Sequence, residues 1–244
     1  MTVRCWALAL GGSLLMSSPS AQTPASPPAT SLGFDGCREV TLLFRNVSTD
    51  AERSTLPAGF IARRNTFGRP IFWFENAFCE SIGVKGASGR SGAYSLLLAG
   101  IIPPEEPSVP ATQDFYIVDA VTNMTELHDI LQSAGIPNQL VDELTVSGDL
   151  NQATVTADGG SPFTVTFSRD VPTVVHSHNW RFWHATESGR AVLNFAVQSG
   201  VGSRGTGAFH GTTGTTLDEI LRDQPIFSAL NEPMSAQVTV GVLR

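Results

Sequence analysis

Lysine is almost absent from this chain: Lys85 is the only one in 244 residues, against fourteen arginines. Charge of either sign is sparse, at 15 % of residues, with a formal net charge of −7. No basic stripe can therefore follow a phosphate backbone, and nucleic acid is not expected as a partner. Long apolar runs are missing too. The apolar stretch from Cys5 to Met16 falls short of the roughly 20 residues a helix needs to span a bilayer, so no membrane span is expected. Cysteine is limited to Cys5, Cys37 and Cys79. What is plentiful is glycine, with 23 residues, and proline, with 15, which together call for many turns.

The N-terminal order of features is Arg4, then the apolar stretch, then the small residues Ser17, Ser18, Ser20 and Ala21. That order is characteristic of a secretory signal and assigns residues 1–21 to a signal peptide. Pro24, Pro27 and Pro28 among Ala, Ser and Thr make residues 22–34 a flexible linker. Residues 35–244 then form a single β-barrel-like domain, a length that β-rich proteins commonly use for one domain. The expected location is secreted or periplasmic. With Cys5 removed alongside the signal, Cys37 and Cys79 remain, and such a pair in an oxidising compartment forms a disulfide. The alternative is two separate buried thiols. The bridge would stabilise the fold by about 4 kcal/mol on the chain-entropy model.

Short runs rich in Val, Ile, Phe and Thr, bounded by Gly, Pro and Asn, predict strands over Glu39–Asn46, Pro70–Phe78, Ala93–Ile102 and Asp114–Val121. The second half adds Ala153–Thr156, Pro162–Phe167, Thr173–His184, Ala191–Gln198 and Ala236–Leu243. Three short helices are predicted from a capping side chain followed three residues later by a carboxylate: Thr49 with Glu52, Asn123 with Glu126, and Thr216 with Glu219. In the middle one, Leu127, Ile130, Leu131 and Ala134 recur at helical spacing, and Gly135 with Pro137 supplies a stop. The fold class is mainly β (α+β), an antiparallel β-barrel or strongly curved sheet with about three short helices.

The run from His176 to His184 is the most unusual in chemistry. On a strand, His176, His178, Trp180, Phe182 and His184 fall on one face. His184 would lie about 26 Å from His176 along a straight strand. The other histidines are His128 and His210, so no metal site is assigned. His176, His178, Trp180 and Phe182 are instead candidates for the aromatic and imidazole wall of a ligand pocket, the alternative being a polar rim strand packed on its neighbour. Gly200, Gly202 and Gly205 match a dinucleotide fingerprint in spacing, but strand and turn residues follow rather than a helix. They read as a glycine-rich hairpin, and no cofactor is expected. Ser91, in Gly89-Arg90-Ser91-Gly92, lacks the spacing of a nucleophile elbow and reads as a surface turn. Glu75, Glu80, Asp119 and Glu187 lie in or beside predicted strands, where a pair could serve as acid and base; sequence alone brings no two of them together. Asn46 and Asn123 match a glycosylation acceptor pattern.

The order of strand Val40–Phe44, a short capped helix, Leu56-Pro57-Ala58-Gly59-Phe60 and the aromatic strand Ile71–Phe74 resembles the opening of the acetoacetate decarboxylase-like β-barrel superfamily. The likeness spans residues 38–102. It implies a conical, largely antiparallel barrel around a small-molecule cavity. In the decarboxylase members a lysine forms an imine with a keto acid, its pKa lowered by an adjacent cation. This sequence departs there: Lys85, between Val84 and Gly86, has no second lysine beside it and reads as a solvated loop charge.

No catalytic residue is assigned, and three functions follow. The first is a secreted β-barrel that binds a small apolar or amphipathic molecule. The second is an enzyme of lyase or isomerase type acting on a small carbonyl or carboxylic acid compound, with His178 or a strand carboxylate as acid and base. The third is a non-catalytic interaction protein of the cell envelope.

Overall fold

A computed structural model describes residues 30–45, 47–84, 88–102, 112–148, 152–158, 163–187, 189–212, 216–221 and 227–243. The proposed signal segment, Asn46 and Lys85 lie outside the described residues. In chain order the elements are β1 (Thr30–Phe44), α1 (Thr49–Thr55), β2 (Ile61–Ala62), β3 (Phe72–Val84), β4 (Arg90–Ile102) and β5 (Thr112–Thr122). They continue as α2 (Thr125–Ser133), β6 (Gln139–Leu140), β7 (Glu143–Gly148), β8 (Gln152–Asp158), β9 (Phe163–Thr186), β10 (Gly189–Gly211), α3 (Thr216–Leu221) and β11 (Phe227–Leu243). The protein is mainly β, as the sequence predicts.

The strands run β6-β5-β4-β3-β1-β11-β10-β9-β8-β7 across one curled sheet. Its long pairings are antiparallel with one exception: β5 lies parallel to β9, from Thr112↔Asn179 to Tyr116↔Trp183. That seam closes β1, β3, β4, β5, β9, β10 and β11 into a ring, which removes the open edges a flat sheet would present. The first half of β9, the second half of β10 and the hairpin β7–β8 extend beyond the ring. Phe163 and Phe209 of this extension meet Phe74 of β3 at 5.1 and 5.7 Å between ring centroids.

Two apolar cores result, one on each face of the sheet. One gathers Leu42, Phe44, Phe74, Leu97, Phe163 and Trp183 under the extension. The other gathers Phe34, Leu96, Ile117, Phe182 and Phe195 with Leu127 and Leu131 of α2. Strands covered on both sides lose the alternation of a half-exposed strand. β4 is buried at every position from Gly92 to Ile101, which explains its unbroken run of small and apolar residues.

Several boundaries differ from the sequence expectation. Residues 30–34, assigned to the linker, belong to β1 instead: Thr30 to Phe34 pair with Val240 to Ala236 of β11. The runs Pro162–Phe167 and Thr173–His184 are one strand, β9, since β10 continues beside it through both. The glycines taken for a hairpin lie inside β10: Gly200, Gly202 and Gly205 face His176, Val174 and Arg169. Register shifts between Val197 and Gly200 and around Arg204 show why small residues stand there, as strands bend where an extra residue is accommodated. Ser91 lies in β4 rather than in a turn.

Helix α2 follows its predicted spacing but begins differently. Asn123 does not cap it: Met124 occupies that position without a side-chain cap. The Asn123 side chain accepts from Ala93 N at 2.9 Å and donates to Leu144 O at 3.2 Å, pinning β4 to β7. The stop is as expected. Gly135 adopts φ +76°, and its N–H donates to Gln132 O while that of Ile136 donates to Leu131 O, each at 2.9 Å. Ile136 and Leu131 are both buried, the apolar contact that accompanies such a termination.

Candidate active site

Side chains from β1, β4, β5, β9 and β10 converge with α2 on one apolar cavity. Its wall includes Phe34, Tyr94, Leu127, Leu131, Phe182 and Phe195. Five of the seven ring strands contribute described residues, so this is the concave side of the sheet. The space open to the centre of a water-sized sphere is ≈ 30 Å³, room for about two water molecules. Phe34 stands edge-on to Tyr94 at 5.7 Å and tilted against Phe195 at 5.4 Å. Phe182 meets Phe195 at 5.6 Å and Phe115 at 5.8 Å, spacings at which aromatic pairs add to simple burial.

Buried carboxyls adjoin this cavity on the same face. Glu39 of β1 lies opposite Ala77 of β3, which lies opposite Tyr94 of β4; in the next row Thr41, Glu75 and Leu96 stand across from one another. Glu39 and Glu75 are thus diagonal neighbours, about 7–8 Å apart at their Cα atoms. Their relative exposures are 0 % and 1 %, and that of Tyr94 is 3 %. The Tyr94 hydroxyl donates to Glu75 Oε1 at 3.0 Å, and the Thr41 hydroxyl donates to Glu39 Oε1.

Burial raises the pKa of Glu75 well above 4.5, and the charge of Glu39 raises it further, against a smaller lowering by the Tyr94 hydrogen bond. Tyr94 is raised well above 10.0 by burial first, then by the charges of Glu75 and Glu39. The charge of one buried carboxyl opposes ionisation of the other, and loss of hydration opposes it further. A neutral carboxyl linked to a tyrosine at a cavity wall is an acid held ready for proton transfer.

Of the four carboxylates singled out in the sequence, only Glu75 belongs here. Glu80 and Glu187 are exposed, and Asp119 accepts from its neighbour Ala120 N at 2.9 Å. Glu39 was not singled out. Its signal is a carboxylate set one pleat from Thr41 in the otherwise apolar Val40–Phe44 strand, legible only once the sheet's inner face is known.

The aromatic candidates are divided. Phe182 lines the cavity, and Trp180 lies beside it, 6.0 Å from Phe182 and 6.2 Å from Phe195. The backbones of His176 and His178 are in β9, opposite Gly200 and Val197 of β10, and their side chains lie outside the described residues. His184 stacks on Tyr116 at 5.2 Å and its Nδ1–H donates to Ile117 O at 3.0 Å. Burial lowers its pKa below 6.5, more than that hydrogen bond raises it. The predicted disulfide is present, joining Cys37 and Cys79 across 42 positions. Both cysteines belong to the cavity-side core. Among the described residues no group of three His, Cys, Asp or Glu is placed to hold a metal ion, and no helix is long and apolar enough to cross a membrane.

Comparison with solved structures finds the same architecture end to end. An acetoacetate decarboxylase superposes with a TM-score of 0.64 at 12 % identity, over 93 % of this chain and 94 % of that one. The fold is acetoacetate decarboxylase-like. A second acetoacetate decarboxylase, from Legionella pneumophila, gives a TM-score of 0.61 at 10 % identity over 97 % and 98 % of the two chains. The enduracididine biosynthesis enzyme MppR, solved in complex with pyruvate, gives 0.55 at 13 % identity over 96 % of each. No protein-family model and no curated protein matches the sequence. The acetoacetate decarboxylase-like fold places Glu39, Glu75 and Tyr94 on the inward face of the ring, while the described residues contain no lysine.

Proposed function

We propose that this protein is an enzyme of lyase or isomerase type acting on a small carbonyl or carboxylic acid compound within the barrel. The observation that carries this reading is the buried Glu75–Tyr94 hydrogen bond of 3.0 Å beside the cavity, with Glu39 as a second carboxyl. The solved structures of the same fold support it: two are acetoacetate decarboxylases, and a third was solved with pyruvate bound. Imine chemistry is not carried over, because Lys85 is the only lysine and has no second lysine beside it to lower its pKa.

The reaction we infer is proton transfer next to a carbonyl. Neither carboxyl is part of the cavity wall, so the ionised one takes the proton through a water in the cavity as the C–H bond beside the carbonyl breaks. Tyr94 gives its proton to the carbonyl oxygen and regains one from the neutral carboxyl. The pair begins and ends with one proton, so the enol forms without net gain or loss of charge in the site. We further propose that the protein works outside the cytosol, since the Cys37–Cys79 bridge suits an oxidising compartment.

The test is turnover, or exchange of the carbon-bound proton in heavy water, across a panel holding acetoacetate, pyruvate and neutral ketones. Activity lost in Glu75→Gln and reduced by about 10²-fold or more in Tyr94→Phe fits this role for an acid–base group. Ligand binding without turnover or exchange for any member of the panel would instead establish the protein as a binder of small apolar molecules, a reading the apolar wall favours.

A further inference from the structure

The cavity discriminates by charge through what its wall leaves out. Among the described residues, every side chain that lines it is a hydrocarbon except Tyr94, and none is a cation. The hydroxyl of Tyr94 is the one side-chain donor there among the described residues, and it points to Glu75 Oε1. Behind it stand two carboxyls, Glu39 and Glu75, both buried. We propose that this cavity, the site on which the function above rests, takes an uncharged, largely hydrocarbon carbonyl compound and turns away the carboxylate of the same size.

A carboxylate entering would shed its hydration, find no cation among the described residues, and face like charge beyond the tyrosine ring. A ketone oxygen asks for less. One donor satisfies it, and Tyr94 can turn its hydroxyl from Glu75 to supply that bond. The remaining carbon chain packs against Phe34, Phe182 and Phe195, where apolar burial favours it. Of the two acid and carbonyl classes left open by the function, the wall therefore selects the neutral carbonyl.

Size makes a second demand. Space for about two waters does not hold a chain of several carbons, so part of the wall must yield. The strands are fixed in the sheet ladder by their backbone hydrogen bonds. Helix α2 meets the cavity only through Leu127 and Leu131, which makes it the wall that gives way.

The test is a titration of the intact, oxidised chain with 2-hexanone and with hexanoate at about pH 8, where the acid is fully ionised. Trp180, packed on Phe182 and Phe195, reports binding by fluorescence. The ketone is expected to bind at least about tenfold tighter than the acid. Leu131→Phe, which fills the cavity, should weaken the ketone, and Leu127→Ala, which enlarges it, should strengthen a longer one such as 2-octanone. Cooperative unfolding of each variant confirms that it is folded. Equal or tighter binding of hexanoate, binding of neither compound, or ketone affinity unmoved by both variants would overturn the proposal. Ketone binding with no catalysis would sink the enzymatic role and leave the charge selectivity standing; catalysis on keto acids with tight hexanoate binding would do the reverse.

Discussion

Asp114 and Arg181 are register partners across the parallel seam between β5 and β9, and their side chains pair where the ring closes. Arg181 Nε donates to Asp114 Oδ1 at 2.7 Å and its Nη2 donates to Oδ2 at 3.2 Å. Trp183 Nε1–H donates to the same Oδ1 at 2.9 Å, and the guanidinium lies over the Trp183 ring, 5.3 Å from its centroid. Asp114 has no exposed surface and Arg181 retains 9 %. A two-pronged, buried pair at the sole parallel pairing of the ring fixes the register of closure.

Removing one partner takes the buried counter-charge from the other. Asp114→Asn is expected to destabilise the protein by about 3–5 kcal/mol, as breaking a buried ion pair does, while the double change Asp114→Leu with Arg181→Met recovers most of that loss. Denaturant unfolding of the three proteins measures it. A single variant as stable as the wild type would show that closure does not depend on the pair.

Glu75 gives stability a distinctive response to pH. Its folded pKa lies above 4.5, so the folded state keeps a proton that the unfolded chain has already released. Stability is fully present below about 4.5 and is lost as pH rises through the folded pKa. Glu75→Gln has no proton to release and still accepts from Tyr94. It is expected to lose less stability than the wild type between pH 4 and pH 7, a range covered by unfolding curves at several pH values. Parallel curves would contradict the assignment.

His184 acts in the opposite direction. Burial lowers its pKa below 6.5, so it contributes stability above that pH that is lost as pH falls through the lowered value. In His184→Gln, which keeps a donor for Ile117 O, the melting temperature should fall less steeply on acidification below 6.5. An unchanged slope would remove the histidine from the acid response.

The disulfide closes a separation of 42 positions. Replacing both cysteines by serine is expected to cost about 4 kcal/mol, read from the denaturation midpoint, with added reductant then having no effect on the variant. Equal stability of the two proteins would show the bridge to be dispensable.

Much of the architecture was legible because it depends on local signals. Strand composition, the Leu127–Leu131 spacing of α2 and its Gly135 stop each act within a few residues; the helix and its stop appear where the sequence puts them, and most strands do so in their central residues. The Val40–Phe44 and Ile71–Phe74 strands, with the segment between them, carried the resemblance to the fold. What escaped depended on distant neighbours. Asn123 looks like a cap in isolation, yet Ala93 and Leu144, 30 and 21 positions away, claim its side chain. The glycines of β10 look like a turn until β9 is seen beside them. The carboxyl pair was hidden for the same reason: Glu39 and Glu75 are 36 positions apart in sequence, and only the β1–β3 register makes them neighbours. Trp180 and Phe182 stood out through side-chain size, whereas nothing local to β5 signals that Asp114 will meet Arg181.

The proposed proton transfer requires that Glu75 hold a proton in the folded protein at neutral pH, ready for Tyr94 to pass on. Infrared difference spectroscopy of the wild type against Glu75→Gln in neutral buffer measures this directly. The prediction is a carbonyl stretch from a buried, protonated carboxyl in the wild type that is missing from the variant. If the wild type shows only ionised carboxylate bands, with nothing lost in Glu75→Gln but a carboxylate, the proposed acid does not exist and the proton-transfer chemistry built on it fails.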